Sequence, residues 1–482
     1  MIFWNNIQRY SCFVICFITL SGCVNYIGIH SNKKIASPKQ FQTAKSLPKQ
    51  NGHWPNSDWA KQFADPQLVV LINEALANNP SLQAAQARID QARALVQAQR
   101  ASLFPHLDAQ GSVTRTRLSS KGFLPPPLNN AIFTQTGFLT DLRYTLDIWG
   151  KNLSSLRQAI SEANASEAAN QEARLAIATS VASTYNELAY YYDLSDVLKR
   201  TVSQRGALDK ITGVRLRTGL DTKVQLYQSR NTTATARTQL ANVEGQILLT
   251  KQQLGTLLGA GPDRGLSIRR PRLGLVQTPA LPANLPLNLL GRRPDIVGAR
   301  WRVEAACQGI SHAKALFYPN IDLLAGVGYL SLHLAELTTR ANAEFVGPAI
   351  RLPLFDGGAL RAQLRNQYAQ YEEAVANYND TLNNALSDVA TQLTNIKSID
   401  RQLGVEREAL DSARHAYDLA RYQYRVGLAS QLVVLNAETS YLSEQQTRLN
   451  LILDRRNRQV ALIYALGGGF NSCCTPPVKD SK

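Results

Sequence analysis

Residues 422–436 read YQYRVGLASQLVVLN, within a stretch from Leu354 to Thr475 that holds no proline. A helix-interior glycine costs about 1 kcal/mol relative to alanine, so Gly427 in such a run marks a turn. The stretch RTGLD at 217–221 carries Gly219, and the two glycines stand 208 positions apart, as do Leu258 and Leu466, and Gly259 and Gly467. Further upstream, NPSLQAAQARIDQARALVQAQRASLFPHLD surrounds Pro80 and RPDIVGARWRVEAACQGISHAKALFYPNID surrounds Pro294. Pro80 and Pro294 are offset by 214, as are Pro105 and Pro319, and Asp108 and Asp322. The chain is two copies of one unit, and Gly427 is a feature used twice.

Each copy opens on an alanine-rich helix, Pro80 to Phe104 and Pro294 to Phe317, with proline in the first turn where its missing N–H does no harm. Two alternating segments follow and read as strands. Leu107, Ala109, Gly111 and Val113 share a face, as do Leu142, Tyr144, Leu146 and Ile148; the second copy offers Ile321, Leu323, Ala325, Val327 and Tyr329, then Ile350, Leu352 and Leu354. At about 10 residues each, these segments have the length of a tilted membrane strand. A soluble four-stranded sheet with one wet face is the alternative.

No proline interrupts Lys151 to Arg217 or Ala359 to Arg425, so each stretch reads as a helix of roughly 100 Å. Tyr371, Val375, Tyr378, Leu382, Ala385, Val389, Leu393 and Ile396 recur at spacings of 3 and 4, an apolar seam of the kind that faces a neighbouring helix. The return arms, Asp221 to Leu258 and Ala429 to Leu466, are shorter, about 57 Å each. An opening helix stacked end to end on a return arm matches one long helix.

If the strands face lipid, an open sheet edge would leave unpaired backbone groups costing several kcal/mol apiece. Four strands cannot close alone, because membrane barrels need about eight or more. The chain must then associate, and a cyclic trimer gives 12 strands; the expected fold is mainly α with a transmembrane β portion, a trimeric 12-stranded β-barrel continued by a long periplasmic α-helical barrel, built from an internal tandem repeat.

The 482 residues include 44% hydrophobic and 18% charged ones, which excludes a disordered chain. The run YSCFVICFITL from Tyr10 to Leu20 reads as the core of a signal peptide, too short to span a bilayer. Leu20-Ser21-Gly22-Cys23 places a cysteine where that run stops, as in bacterial lipoproteins; an ordinary cleavage site beside a chance cysteine is the alternative. On the lipoprotein reading, Cys23 carries N-acyl and S-diacylglycerol lipid, and no other cofactor is expected. Val24 follows, not the aspartate that in many bacteria signals inner-membrane retention. The divisions are a signal peptide 1–22, a lipid-anchored segment 23–65, a first repeat 66–270, a second repeat 271–470 and a tail 471–482. Cys473 and Cys474 fall in that tail and read as solvent-exposed, with a metal or redox site as the alternative.

The net charge of +16 raises the question of nucleic acid, but Lys and Arg are scattered among glutamates without a basic block, and no nucleic-acid partner is expected. The six histidines lack the spacing of a metal pair. GAGPDRG lacks the lysine of a phosphate loop, and no nucleophile with its base can be located, so an enzyme is not expected.

Taken together and in order, WPNSDWAKQFADPQLVVLINEAL, the doubled FPxxD-like element, LDIWGK, RRPDI at 292–296, LPLFDGG at 352–358 and the doubled R-x-G-L resemble the outer-membrane efflux factor family (TolC/OprM-like), most closely its NodT-like lipoprotein branch. The resemblance covers residues 54–468. It implies a passive duct in the outer membrane with a periplasmic extension, a homotrimer contacting outer-membrane lipid. The duct would carry small molecules from a periplasmic adaptor (membrane fusion) protein and an inner-membrane pump of RND, MFS or ABC type. The outer component of type I protein secretion would share this architecture, and a coiled-coil periplasmic lipoprotein without a pore is a reading from another class.

The turn residues Arg217, Gly219, Leu220, Arg425, Gly427 and Leu428 serve the helix hairpins, with φ > 0 at glycine and a basic residue near the helix C-terminus. The resemblance adds adaptor docking to these turns. In TolC-like members acidic residues just past the second turn line the periplasmic mouth; the matching positions here are Val433 and Asn436. Asp221, Gln225 and Asp388 are further candidates for polar groups of the lumen or mouth, with a solvated surface as the alternative. Arg292-Arg293-Pro294-Asp295 reads as a structural helix start.

Overall fold

The computed structural model describes residues 26–37, 40–43, 45–47, 52–121, 125–127, 129–274, 285–331 and 341–472. The signal segment, Cys23, Cys473 and Cys474 lie outside the described residues. In chain order the elements are α1 (Pro66–Asn78), α2 (Pro80–Ala101), β1 (His106–Arg117), β2 (Ile132–Leu146), α3 (Lys151–Arg217), α4 (Lys223–Leu257), the short α5 (Pro262–Leu266), α6 (Leu285–Arg292), α7 (Pro294–Ala315), β3 (Asn320–Ser331), β4 (Asn342–Arg351), α8 (Ala359–Arg425) and α9 (Gln431–Ala465). The two long helices, α3 and α8, have the limits that the proline-free stretches predict. The opening helices stop short of Phe104 and Phe317 because the residue before a proline is pushed out of the α region, and the last turn unwinds ahead of Pro105 and Pro319.

The four strands form one antiparallel meander in the order β1-β2-β3-β4. Its register aligns Leu107 with Leu142, Leu142 with Ala325, and Ala325 with Val346, so the predicted apolar sets of both copies fall on a single face. The opposite face carries Asp108, Gln110, Asp141, Arg143 and Asp322. Nothing described covers the apolar face: Val346 is 86% exposed and Ile350 is 68% exposed. Ile148 lies in the turn after β2, and Leu352 and Leu354 lie beyond β4, where Pro353 cannot donate to a ladder. Among the described residues β1 pairs only with β2 and β4 only with β3, which leaves one edge of each without a described partner.

The chain forms two compact units, residues 1–35, 89–166 and 299–378 in the first and 36–88, 167–298 and 379–482 in the second. Both repeats contribute to each. The sheet belongs to the first unit, where Ile29, Ile310, Ala313, Phe317 and Leu364 pack together.

In the helical unit α1 adds an element that the periodicity reading left out. Asp65 caps it by accepting from the Gln67 amide at 3.0 Å, Pro66 starts it, and Leu68, Leu71, Ile72 and Ala75 bury one stripe. That stripe packs on Val181, Tyr185 and Leu188 of α3 and on Leu254 of α4. The Asp65 carboxylate also accepts from the Tyr185 hydroxyl at 2.7 Å and the Arg272 amide at 2.8 Å, which ties down the connection between the repeats.

The end-to-end stacking is built twice. Asn79 donates to the Leu257 carbonyl at 2.8 Å, and Arg293 donates to the Ala465 carbonyl at 3.3 Å, so the residue before each helix-opening proline satisfies a terminal carbonyl of the return helix. A Cβ on Gly467 would lie 1.8 Å from the Arg292 carbonyl oxygen, and one on Gly259 would lie 2.5 Å from that of Asn78. Glycine is what lets the helix ends meet. The seam of α8 is buried from Val375 to Ile396, as its spacing requires.

Candidate functional site: the paired helix turns

Both long helices end in the same backbone device. Gly219 has φ +75° and Gly427 has φ +87°, the left-handed region. The Leu220 amide donates to the Arg215 carbonyl at 2.8 Å and the Gly219 amide to the Leu216 carbonyl at 3.2 Å. In the second copy Leu428 donates to Gln423 at 2.7 Å and Gly427 to Tyr424 at 3.1 Å. This pair of bonds is the Schellman motif, which caps the last carbonyls of a helix. The leucine after each glycine usually packs back on its own helix in such a motif, but Leu220 is 66% exposed and Leu428 is 79% exposed. Two apolar tips therefore stand in solvent on adjoining turns. Arg217 and Arg425 are exposed beside them.

The two turns are bolted together by a buried polar cluster. Arg215 donates to the Asp221 carboxylate at 3.0 Å, and the Tyr424 hydroxyl donates to the same oxygen at 2.8 Å. The Arg215 guanidinium also lies 4.8 Å from the Tyr424 ring centroid, a cation–π contact. The Thr212 hydroxyl lies 3.3 Å from that of Tyr424 and accepts from the Gln431 carboxamide at 3.3 Å. Asp221 is thus buried and paired; the solvated-surface alternative does not hold for it. Burial is the main cause that pushes the Tyr424 hydroxyl above its ordinary value.

The other candidates separate. Gln225 spends its carboxamide oxygen on the amide and hydroxyl of Thr222, capping α4. Val433 and Asn436 are exposed on the first two turns of α9, five and eight positions beyond Leu428. Asp388 is not beside the turns: it lies 3.4 Å from Arg293, roughly 55 Å along α8 from Arg425 by helical rise. Periodicity did not reveal Arg215 and Tyr424, whose partner Asp221 is 203 positions from Tyr424.

One helical turn back along α3 and α8, a groove of about 330 Å³ is lined by Leu208, Ile211, Tyr417, Tyr422, Arg421 and Arg425. Arg421 and Arg425 lie over the rings of Tyr417 and Tyr422, at 5.4 and 5.7 Å. Beneath it the buried pair Arg205–Glu438, 3.0 Å apart, joins α3 to α9, and Arg205 also donates to the Thr232 carbonyl of α4 at 2.9 Å. Burial raises the Glu438 carboxyl, and Arg205 opposes that shift. The groove offers apolar, aromatic and cationic surface, with the carboxylates of Asp418 and Glu438 also in its lining.

Among the described residues no group of three or more His, Cys, Asp or Glu could hold a metal, and no helix is long and apolar enough to cross a membrane.

Comparison with known proteins bears on the same architecture. The family model "Outer membrane efflux protein" matches residues 71–260 and 285–468, one segment per repeat. The chain is 31% identical over 472 residues to the multidrug resistance outer membrane protein MdtP of Escherichia coli K12, covering 96% of each. It is 30% identical over 420 residues to the probable efflux pump outer membrane protein TtgC of Pseudomonas putida, covering 86% of this chain and 85% of the relative. Among solved structures, the outer membrane protein VceC of Vibrio cholerae superposes with a TM-score of 0.80 at 36% identity, covering 87% of this chain and 100% of VceC. CusC superposes with a TM-score of 0.80 at 27% identity, covering 92% and 100%. The chain belongs to the outer membrane efflux protein family.

Proposed function

We propose that the protein is the outer-membrane channel of a tripartite efflux system, passively conducting small molecules that a pump and a periplasmic adaptor deliver to it. The observation that carries this reading is the sheet: four strands with one uncovered apolar face and two edges without a partner among the described residues. Such a sheet is tolerable in lipid only when sister chains complete the ring. Three chains supply 12 strands, within the range of membrane barrels. The polar face with Asp108, Asp141 and Arg143 then lines water.

The exposed Leu220 and Leu428 with Arg217 and Arg425, and the groove beside them, are the surface for the adaptor's helical hairpin. Acylation at Cys23 adds a tether of roughly 0.8 kcal/mol per buried CH₂. The pump, of RND, MFS or ABC type, supplies the energy and most of the substrate choice. The test is accumulation of dyes and antibiotics in a strain lacking the gene. Accumulation that is reversed by the wild-type gene supports the reading, and unchanged accumulation for every compound the relatives' systems export contradicts it.

A further inference from the structure

The first described residues are seated on the strand unit. Ile29 is buried against Ile310, Ala313, Phe317 and Leu364, Tyr26 packs edge-on to Phe317 at 5.5 Å, and Arg361 donates to the Ile27 carbonyl at 3.3 Å.

The same corner carries the residue types that settle at a membrane–water boundary. Trp149 stacks on Tyr318 at 4.6 Å, and its indole N–H donates at 2.9 Å to the carbonyl of Pro319, the residue before β3. Arg351 ends β4 opposite Asn320, the first residue of β3, and the chain then exposes Leu354 and Phe355. Aromatic residues with nearby cations at the ends of apolar strands mark the headgroup level.

Lys314 is the unexplained charge in this belt. Its ammonium lies 5.8 Å from the ring centroids of both Tyr26 and Tyr368 and makes no ion pair with a carboxylate among the described residues. Two aromatic rings flank the cation within cation–π range, while Lys314 remains partly accessible. An ammonium fixed in this way at headgroup level is a point-charge binder for phosphate.

We propose that Lys314, caged by Tyr26 and Tyr368, seats the phosphate of an anionic phospholipid of the periplasmic leaflet. The proposal rests on the membrane-spanning reading of the strands. Its test is native mass spectrometry of the protein released from nanodiscs of phosphatidylglycerol. The wild type retains that lipid, Lys314→Arg retains it, and Lys314→Gln retains roughly tenfold less, as expected for loss of one charge-assisted contact. Tyr368→Leu, which opens one wall of the cage while leaving the charge, also retains less. Added glycerol phosphate leaves the wild-type lipid in place. Full retention by both Lys314→Gln and Tyr368→Leu would overturn the proposal, as would displacement by glycerol phosphate, which would mark a site for free phosphate. Conductance of the same preparations keeps the two readings apart: lipid loss with normal current concerns the seat alone, whereas absence of current in the wild type strikes the channel itself.

Discussion

Tyr424, in the last turn of α8, donates its hydroxyl hydrogen to Asp221, in the first hairpin, across 2.8 Å of buried space. One hydrogen bond thereby links turns that belong to different repeats. A buried bond to a charged acceptor contributes about 1.5–3 kcal/mol. Tyr424→Phe should loosen the paired turns and raise the resting current of the channel in planar bilayers. Asp221→Asn should raise it further, because Arg215 loses its counter-charge as well. Identical currents in all three proteins would show that this tie does not hold the mouth.

Leu220 and Leu428 can be removed without touching the core. Replacing both with serine should change folding stability by no more than about 1 kcal/mol, about 0.5 for each surface position. Cells carrying this double variant should accumulate dyes as a deletion strain does, although the purified channel conducts normally. Wild-type efflux from the double variant would dissociate the tips from adaptor docking.

The repeated glycines should differ in cost according to what surrounds them. A Cβ at Gly427 meets nothing within 4 Å, so Gly427→Ala suffers only the left-handed backbone penalty, about 1–2 kcal/mol. At Gly467 the added carbon collides with the Arg292 backbone, and the joint between α9 and α7 must open. Thermal melts should therefore place Gly467→Ala well below Gly427→Ala. The reverse order would mean that the stacked joint is not a stability determinant.

Glu406 supplies a pH signature. Its two carboxylate oxygens are buried without a hydrogen-bond partner, and Arg448 is 3.9 Å away. Burial is the first cause that raises its pKa, and Arg448 opposes it. A raised folded-state value means that the group's stabilising contribution is fully present below its unfolded value near 4.5 and is lost as pH rises through the folded one. Glu406→Gln should then melt at a higher temperature than wild type at pH 7, with the gap closing as pH falls toward 4.5. A constant gap across that window would remove Glu406 as its source.

Much of this architecture could be read from offsets and periods. The offsets 208 and 214 reveal the duplication, proline-free runs bound α3 and α8, and alternation assigns the two faces of each strand, while the register between strands comes from the structure. What escaped was either short or set by partners distant in sequence. Helix α1 announces itself locally through Asp65-Pro66 and the stripe Leu68, Leu71, Ile72 and Ala75, but it is too short to stand out from the long helices around it. The burial of Asp221 depends on Tyr424 in the other repeat, so no window around the first turn could show it. The seat of Tyr26 on Phe317 and Lys314 is equally nonlocal.

The most direct test of a shared conduit is the stoichiometry of the purified protein in nanodiscs, measured by mass photometry together with single-channel current. The account predicts three chains per particle and a stable ionic conductance. A detergent-free, monodisperse single chain that passes no current would contradict it.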